Sequence, residues 1–309
     1  MSKRIKSFEA LNKLVTQKIN KPDVINKSKK TSTQNSVLNN QYKYREVEGI
    51  PIYTEKEYQE EKRRNIEYSK TINRANRNKK EEQDKELREK RREEFEPIIK
   101  TYKINSLYHF TDLDNLNSIL DVGILTKIAL ERKGITYKEG DSRRYDYHSN
   151  CSCVSISYPN SYLLKNYRDE KPCSNIIILE IMPEIIYEHE CIFAEYNAAS
   201  AGIRESTEQR NDASAFQNMF ADKVKVITST RGEETYHRKP SMRENWPTTE
   251  QAEILIQGVI KQKFIRKIHI TSNTDVDRYR LKLDKYNIEI KVNDDLFTFN
   301  REQYFATRR

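Results

Sequence analysis

The sequence predicts an α+β fold, in which a core of mixed strands and helices follows a long, charged, helical N-terminal arm. Two observations lead to this prediction. Short apolar runs alternate with polar turns after Pro97, without the regular strand–helix–strand order of a parallel α/β protein. Residues 55–96 are dominated by charged and amide side chains, and no Gly or Pro interrupts them. The 309 residues suffice for one enzyme-sized domain with an appendage.

The first segment, residues 1–54, is basic and polar. Residues 27–40 are rich in Ser, Thr, Asn and Lys and offer almost nothing to bury, so we expect this segment to be flexible. The first 21 residues mix Lys with scattered apolar residues and lack the apolar stretch of a secretory signal.

Residues 55–100 form the predicted arm. Its apolar residues are sparse and make no sustained heptad seam, so a strong coiled coil is not expected. One stretch holds a single acid, Glu67, among many basic residues: Lys62, Arg63, Arg64, Lys70, Arg74, Arg77, Lys79 and Lys80. The arm is therefore either a solvated charged helix or a surface that binds nucleic acid or a protein partner.

The bulk composition limits the class of protein. The net charge of +9 favours a polyanionic partner, although many basic proteins bind nothing in particular. No apolar run reaches the roughly 18 residues of a membrane span, so we expect no membrane association. The four cysteines, at positions 151, 153, 173 and 191, do not make a disulfide scaffold, which favours the cytoplasm, and their spacing is not that of a zinc site.

The predicted core covers residues 101–309. Apolar runs bounded by turn residues predict strands at 107–111, 154–158, 175–182, 191–194, 224–228, 252–257 and 267–271. A short helix over Leu113, Leu116, Ile119 and Leu120 is capped by Asp112 or Asp114 and ends at Gly123. A late helix at 275–286 precedes a strand at 288–292. The glycine motifs of Rossmann and P-loop nucleotide sites are absent from the sequence.

Four segments, in order, resemble the DarT family of DNA-targeting ADP-ribosyltransferase toxins. They are residues 107–125, which open with Leu-Tyr-His-Phe-Thr; residues 141–144 with His148; residues 193–200 with their Asn-Ala-Ala stretch; and residues 251–256. The resemblance runs from about residue 101 to the end, and residues 1–100 lie outside it. It implies an ADP-ribosyltransferase-like split mixed β-sheet with flanking helices, NAD⁺ as co-substrate and no metal.

The resemblance places the catalytic carboxylate at Glu253, with Arg144 and His109 as the other catalytic residues. Chemistry agrees, because loss of nicotinamide leaves positive charge on the ribose C1′, which a nearby carboxylate stabilises. Glu253 opens an otherwise apolar strand, so its charge must meet solvent, a ligand or a partner. The alternative is a strand-edge glutamate paired with an arginine.

The resemblance also supplies a set of NAD⁺-binding candidates: His109, Thr111, Asn115, Arg143, Arg144, Ser157, Tyr158 and Tyr162. His109 is expected to bond ribose or nicotinamide groups, with a buried core histidine as the alternative. Either Arg143 or Arg144, with Arg144 preferred, would hold the pyrophosphate. Ser155 and Ser157 share one face of the predicted strand, which is less aromatic than in the family, so Tyr158 and Tyr162 are the candidates for stacking on nicotinamide.

Residues 231–249 precede Glu253 and are polar, and in this family the loop at this place recognises the target. Basic side chains interleaved with aromatic ones suit a single strand, since arginines hold phosphates while a ring stacks on a base. The candidates are Tyr236, Arg238, Arg243 and Trp246. The alternative for Trp246 is that it packs the loop onto the core.

The resulting hypothesis is a toxin that transfers ADP-ribose from NAD⁺ to a base of nucleic acid. The target is single-stranded DNA by family analogy, or mRNA, because a base edge must be unstacked to react. A toxin–antitoxin or anti-phage setting implies an antitoxin partner. The alternatives are an ADP-ribosyltransferase acting on protein, or a nuclease or nucleic-acid-binding protein that uses His109, His148 and Glu253 without NAD⁺.

Overall fold

A computed structural model describes residues 46–47, 50–51, 55–138, 146–170, 175–204, 206–228 and 232–298. The chain divides into two units, residues 1–72 and 73–309. The first unit contains an antiparallel pair of short strands, β1 (Glu46–Val47) and β2 (Ile50–Pro51). Helix α1 spans Glu55–Thr101, which confirms the long charged helix and shows one helix rather than two.

The end of α1 explains why the helix continues past Pro97. Phe95 and Ile98 are buried in the main hydrophobic core. The ring of Phe95 lies 5.3 Å from that of Phe193, which stacks in turn on Phe216 at 4.6 Å. Tertiary packing of this last turn outweighs the backbone hydrogen bond that a proline removes.

The remaining elements have the following bounds. The strands are β3 (Leu107–Asp112), β4 (Cys151–Ile156), β5 (Ile176–Ile181), β6 (Cys191–Ala194), β7 (Lys223–Thr228), β8 (Gly232–His237), β9 (Glu253–Gln257), β10 (Ile265–Ile270) and β11 (Glu289–Val292). The helices are α2 (Leu116–Val122), α3 (Lys127–Lys133), α4 (Ser161–Glu170), α5 (Ile185–Glu188), α6 (Ala201–Arg204), α7 (Ala213–Asn218), α8 (Arg280–Lys285) and α9 (Asp294–Thr298).

Seven strands form one mixed sheet in the order β11-β10-β5-β3-β4-β9-β6. Strands β10 and β11 pair in parallel, and the other neighbours are antiparallel. Strand β5 is buried along its whole length and, apart from Glu180, is apolar, as expected of a strand covered on both faces. A separate antiparallel pair, β7 and β8, packs beside this sheet through Val224, Val226 and Tyr236.

The large sheet opens between β3 and β4. Their ladder holds only the pairs Leu107–Ile156 and Tyr108–Ser155. Strand β3 stays paired with β5 up to Asp112, while β4 stays paired with β9 from Cys151 to Ser155. The two halves of the sheet therefore separate beyond Tyr108, as expected of a split mixed sheet.

The predicted α+β class and most of the strands are confirmed, with three corrections. Strand β4 ends at Ile156 because Ser157 adopts a left-handed backbone with φ 59°, so Ser155 and Ser157 do not share a strand face. Residues 232–237, treated as part of a polar loop, form β8. The late helix is shorter than predicted, since a 3-10 turn at Asp277–Tyr279 precedes α8. No helix in the described part of the chain is long and apolar enough to span a membrane.

Candidate active site

A cleft of about 510 Å³ lies beside the opening between β3 and β4. The walls come from strands β3 and β4, the start of strand β9, helix α4 and the segment that precedes helix α2. The lining includes four of the predicted site residues, namely His109, Thr111, Asn115 and Glu253. Other polar residues of the lining include Asp112, Lys138, Ser155, Asn160 and Asn197.

Glu253 lies inside the sheet rather than at its edge. Strand register places it between Ser155 of β4 and Ala194 of β6, and it is 7% exposed. The backbone N–H of Ala198 donates to Glu253 Oε1 at 2.7 Å. The turn that carries Ala198 is itself closed by Asn197, whose Oδ1 accepts from the Ala199 N–H at 2.9 Å. The Asn-Ala-Ala stretch thus holds one oxygen of the carboxylate, and Glu253 lies on a strand in the interior of the sheet.

His109 spans the opening in the sheet. Its Nδ1 lies 2.9 Å from the carbonyl oxygen of Cys153 on β4. A carbonyl oxygen only accepts, so Nδ1 carries the hydrogen, and a neutral ring keeps its lone pair on Nε2. Since the half-buried ring lines the cleft, His109 is not a sealed core histidine.

Asn115 uses its amide to fix the wall of the cleft. Its Nδ2 donates to Thr111 Oγ1 at 2.9 Å and to the Lys138 carbonyl at 2.8 Å, and its Oδ1 accepts from the Lys138 N–H at 2.8 Å. Both atoms of the amide are therefore engaged by protein groups. Thr111 accepts from Asn115 and keeps its own hydroxyl hydrogen to donate to a ligand. Arg143 and Arg144 lie outside the described residues.

Lys138 also carries an ion-pair cluster at the rim of the cleft. Its Nζ lies 2.6 Å from Asp114 and 3.6 Å from Asp112 Oδ1. The hydrogen bond between Lys138 and Asp114 lowers the pKa of the aspartate and raises the pKa of the lysine. Asp112 is 1% exposed, and its other oxygen, Oδ2, has no hydrogen-bond partner among the residues described.

Asn160 is a lining residue that the sequence analysis missed. Its Oδ1 accepts from the Leu163 N–H at 3.1 Å and so caps α4, and its backbone N–H donates to Ser155 Oγ at 3.1 Å. Because Oδ1 is fixed as the acceptor, Nδ2 must face the other way. This nitrogen is buried and has no partner in the part of the chain described. The Pro-Asn-Ser signal before a helix could have identified the cap but not the unpaired donor.

The structure does not bring Ser157, Tyr158 and Tyr162 to the cleft. The left-handed backbone at Ser157 ends β4, and the chain returns to the cleft wall only at Asn160. The Tyr158 hydroxyl lies 3.3 Å from the Asp295 carbonyl, and its ring packs near Leu296 and Phe297. Tyr162 is 47% exposed. A role for these three residues in NAD⁺ binding would need a different conformation.

The two aromatic residues predicted to bind nucleic acid are enclosed by protein. Tyr236 lies in β8 and is 7% exposed, and Trp246 is 4% exposed beside Met242. Burial raises the pKa of Tyr236. Both rings are enclosed in this conformation, so neither offers a face to a base. The packing alternative for Trp246 matches its environment.

The two arginines of that set hold the loop before Glu253. Arg238 donates to the carbonyls of Trp246, Arg243 and Glu244 at 2.6, 2.8 and 3.2 Å. The Arg243 guanidinium lies 5.2 Å from the centroid of the Trp246 ring. Arg238 therefore orders the loop backbone, and its contacts are with protein.

Comparison with known proteins gives one family match. Residues 108–298 match the family model described as "DarT: ssDNA thymidine ADP-ribosyltransferase, DarT". No curated protein sequence shows a significant match.

Several solved structures are similar at low identity. The structure of Thermosipho africanus DarTG in complex with ADP-ribose is 17% identical with a TM-score of 0.41, covering 62% of this chain and 51% of that one. The chain thus spans about half the length of this relative. Thermus sp. 2.9 DarT in complex with ADP-ribosylated ssDNA is 14% identical with a TM-score of 0.40, covering 63% and 96%. The same protein with NAD⁺ is 15% identical with a TM-score of 0.39, covering 62% and 96%.

Proposed function

Since the chain belongs to the DarT family of ADP-ribosyltransferases, we propose that it transfers ADP-ribose from NAD⁺ to a base of single-stranded DNA. The observation that carries the proposal is the cleft in which Glu253 and His109 share a wall, with the glutamate anchored by the Ala198 N–H. A carboxylate fixed by a backbone donor needs little reorganisation when positive charge develops beside it.

The reaction breaks the bond between the ribose C1′ and the nicotinamide nitrogen, and nicotinamide leaves with the bonding electrons. A base nitrogen then forms a bond to C1′, and its proton passes to water. Glu253 would stabilise the positive charge on the ribose. His109 would hydrogen-bond a ribose hydroxyl, and the Thr111 hydroxyl would donate to the same ligand.

Two buried polar atoms support a polar ligand in this cleft. Asp112 Oδ2 is an acceptor and Asn160 Nδ2 is a donor, and neither has a partner among the described residues. Leaving such groups unpaired costs about 1–3 kcal/mol each. Both atoms are enclosed in this structure, so a ligand reaches them only when the surrounding side chains rearrange; the hydroxyl and carboxamide groups of NAD⁺ have the donors and acceptors that would then complete these bonds. Arg143 and Arg144 stay candidates for the pyrophosphate.

As the family resemblance implies, we further propose that the protein is a toxin that an antitoxin protein neutralises. The basic net charge of +9 supports a polyanionic target, because Lys and Arg contacts release counterions from nucleic acid. The predicted division into residues 1–54, 55–100 and 101–309 assigns the chemistry to the last segment.

The test is to incubate the protein with NAD⁺ labelled in the adenine and to separate the products. Three acceptors are compared in separate reactions: single-stranded DNA, single-stranded RNA and cell-lysate protein. The proposal expects label on DNA together with release of nicotinamide. Label on RNA or on protein alone would replace the proposed target, and an oligonucleotide shortened without NAD⁺ would indicate a nuclease.

A further inference from the structure

Tyr147 combines three features at the rim of the cleft. Its side chain is 73% exposed. Its backbone is left-handed, with φ 61°, which is uncommon for a bulky residue. The Arg204 guanidinium lies 4.9 Å from the centroid of its ring. A single exposed tyrosine needs no explanation, but a strained backbone that presents an aromatic ring to solvent does.

The neighbours of this pair line the cleft. Tyr147 directly follows Asp146, a lining residue whose Oδ1 accepts from the His148 N–H at 3.2 Å and so holds the turn. Arg204 ends α6, and the turn before that helix contributes Asn197 and Ala199 to the lining. The same turn supplies the N–H that anchors Glu253. Each member of the aromatic–guanidinium pair therefore belongs to a segment that contributes to the lining of the candidate active site.

We infer that Tyr147 and Arg204 form the platform on which single-stranded nucleic acid docks, a base stacking on the ring while the guanidinium meets a phosphate. The inference rests on the proposed function and names residues that contact its target. Base–aromatic stacking suits any base, and an arginine beside a ring adds charge attraction to the backbone.

The chemistry of the pair favours nucleic acid over a protein occupant. A protein-binding patch on this rim would be expected to hold several exposed apolar side chains together. Here the exposed ring is paired with a cation, and the aromatic side chains expected to stack on bases, Tyr236 and Trp246, are enclosed. Tyr147 offers the open ring face that those residues do not.

The test measures the dissociation constant of a fluorescent single-stranded DNA oligonucleotide with the full-length protein. Tyr147→Gly removes the ring and suits the left-handed backbone, so it tests the ring without adding strain. Tyr147→Phe keeps the ring. Leu281→Ala is the control, because Leu281 is 87% exposed and does not line the cleft.

We expect Tyr147→Gly to weaken binding about tenfold, since one base stack is lost. The ratio of DNA transfer to NAD⁺ hydrolysis should fall with it. Tyr147→Phe and Leu281→Ala should bind like the wild type, and Arg204→Gln should weaken binding and reduce its salt dependence.

Wild-type affinity in Tyr147→Gly, or equal losses in the Gly and Phe variants, would overturn the stacking platform. A wild-type protein that binds no single strand would overturn it as well. Binding that depends on Tyr147 without any transfer would support the platform and contradict the proposed transferase function instead.

Discussion

The N–H of Ala198 donates to the carboxylate of Glu253 at 2.7 Å, although 55 positions separate the two residues. The bond joins the turn after β6 to the first residue of β9. Two of the segments that resemble the DarT family, the Asn-Ala-Ala stretch and the strand that opens with Glu253, thus meet at one hydrogen bond. The geometry of the turn decides where the carboxylate lies.

Asn197→Ala should reduce the rate of transfer more than it changes the KM for NAD⁺. The substitution removes the Oδ1 that closes the turn on the Ala199 N–H, so the donor that orients Glu253 loses its support. We expect a fall in kcat of about tenfold, since small misplacements of a catalytic group are costly. Steady-state kinetics with NAD⁺ and an oligonucleotide measure it. Asn197→Asp keeps the acceptor and serves as the control, and an equal loss in both variants would contradict the positioning role.

Asn160→Asp should weaken NAD⁺ binding while keeping the cap on α4. An aspartate oxygen still accepts from the Leu163 N–H and caps α4, but the unpaired Nδ2 donor becomes an acceptor. The KM for NAD⁺ should rise about tenfold, because the ligand loses one neutral hydrogen-bond donor and its oxygen instead faces a carboxylate oxygen that repels it. Asn160→Leu removes the cap as well and should lower the free energy of unfolding by about 1 kcal/mol. An unchanged KM in Asn160→Asp would remove this residue from the ligand site.

Stability should fall in acid through Glu180. This buried carboxylate accepts from His269 Nε2 at 2.7 Å, from Ser106 at 2.8 Å and from Arg266 Nε at 3.1 Å. Burial works to raise the pKa of Glu180, but the hydrogen bonds from His269, Arg266 and Ser106 outweigh it and bring the pKa from 4.5 to about 2. Because the pKa of Glu180 is lower in the folded protein than in the unfolded chain, its ionised carboxylate stabilises the fold at pH values above the unfolded-state pKa. This stabilisation is lost as the pH falls through the folded-state pKa.

Glu180→Gln should therefore cost a few kcal/mol of unfolding free energy near neutral pH, and less in acid. Urea unfolding of both proteins across the range from about pH 6 to about pH 3 measures the difference, which should shrink as the pH falls below about 4.5. A difference that stays constant or grows in acid would show that ionised Glu180 does not stabilise the fold.

The predictions from sequence were most accurate where an apolar run determined a buried strand or a family motif determined the position of a site residue. Strand β5 was placed correctly because five of its six residues are apolar, and such a strand must be covered on both faces. Glu253 and His109 were placed in one cleft because the resembling segments come in family order. Their roles, like the domain boundaries, stay predictions that the proposed assays test.

Other features depend on contacts that a linear sequence does not show. Strand β8 was missed because its Gly, Glu and Thr residues resemble a loop until β7 supplies a partner along its length. Tyr158 and Tyr162 were expected in the cleft, but the left-handed backbone at Ser157 redirects the chain. A serine gives no sequence signal for that conformation. The unpaired donor of Asn160 becomes visible only once Oδ1 has been assigned to the helix cap.

The most direct measurement of the central claim compares Glu253→Gln with the wild type in transfer of labelled ADP-ribose to single-stranded DNA. Glutamine keeps the size of the side chain and an oxygen that accepts from Ala198, but it lacks the negative charge. Glu289→Gln, an exposed glutamate outside the cleft, is the matched control. We predict that Glu253→Gln folds normally and transfers at least about a hundredfold more slowly, while Glu289→Gln keeps the wild-type rate. Wild-type transfer by a folded Glu253→Gln protein would contradict the account.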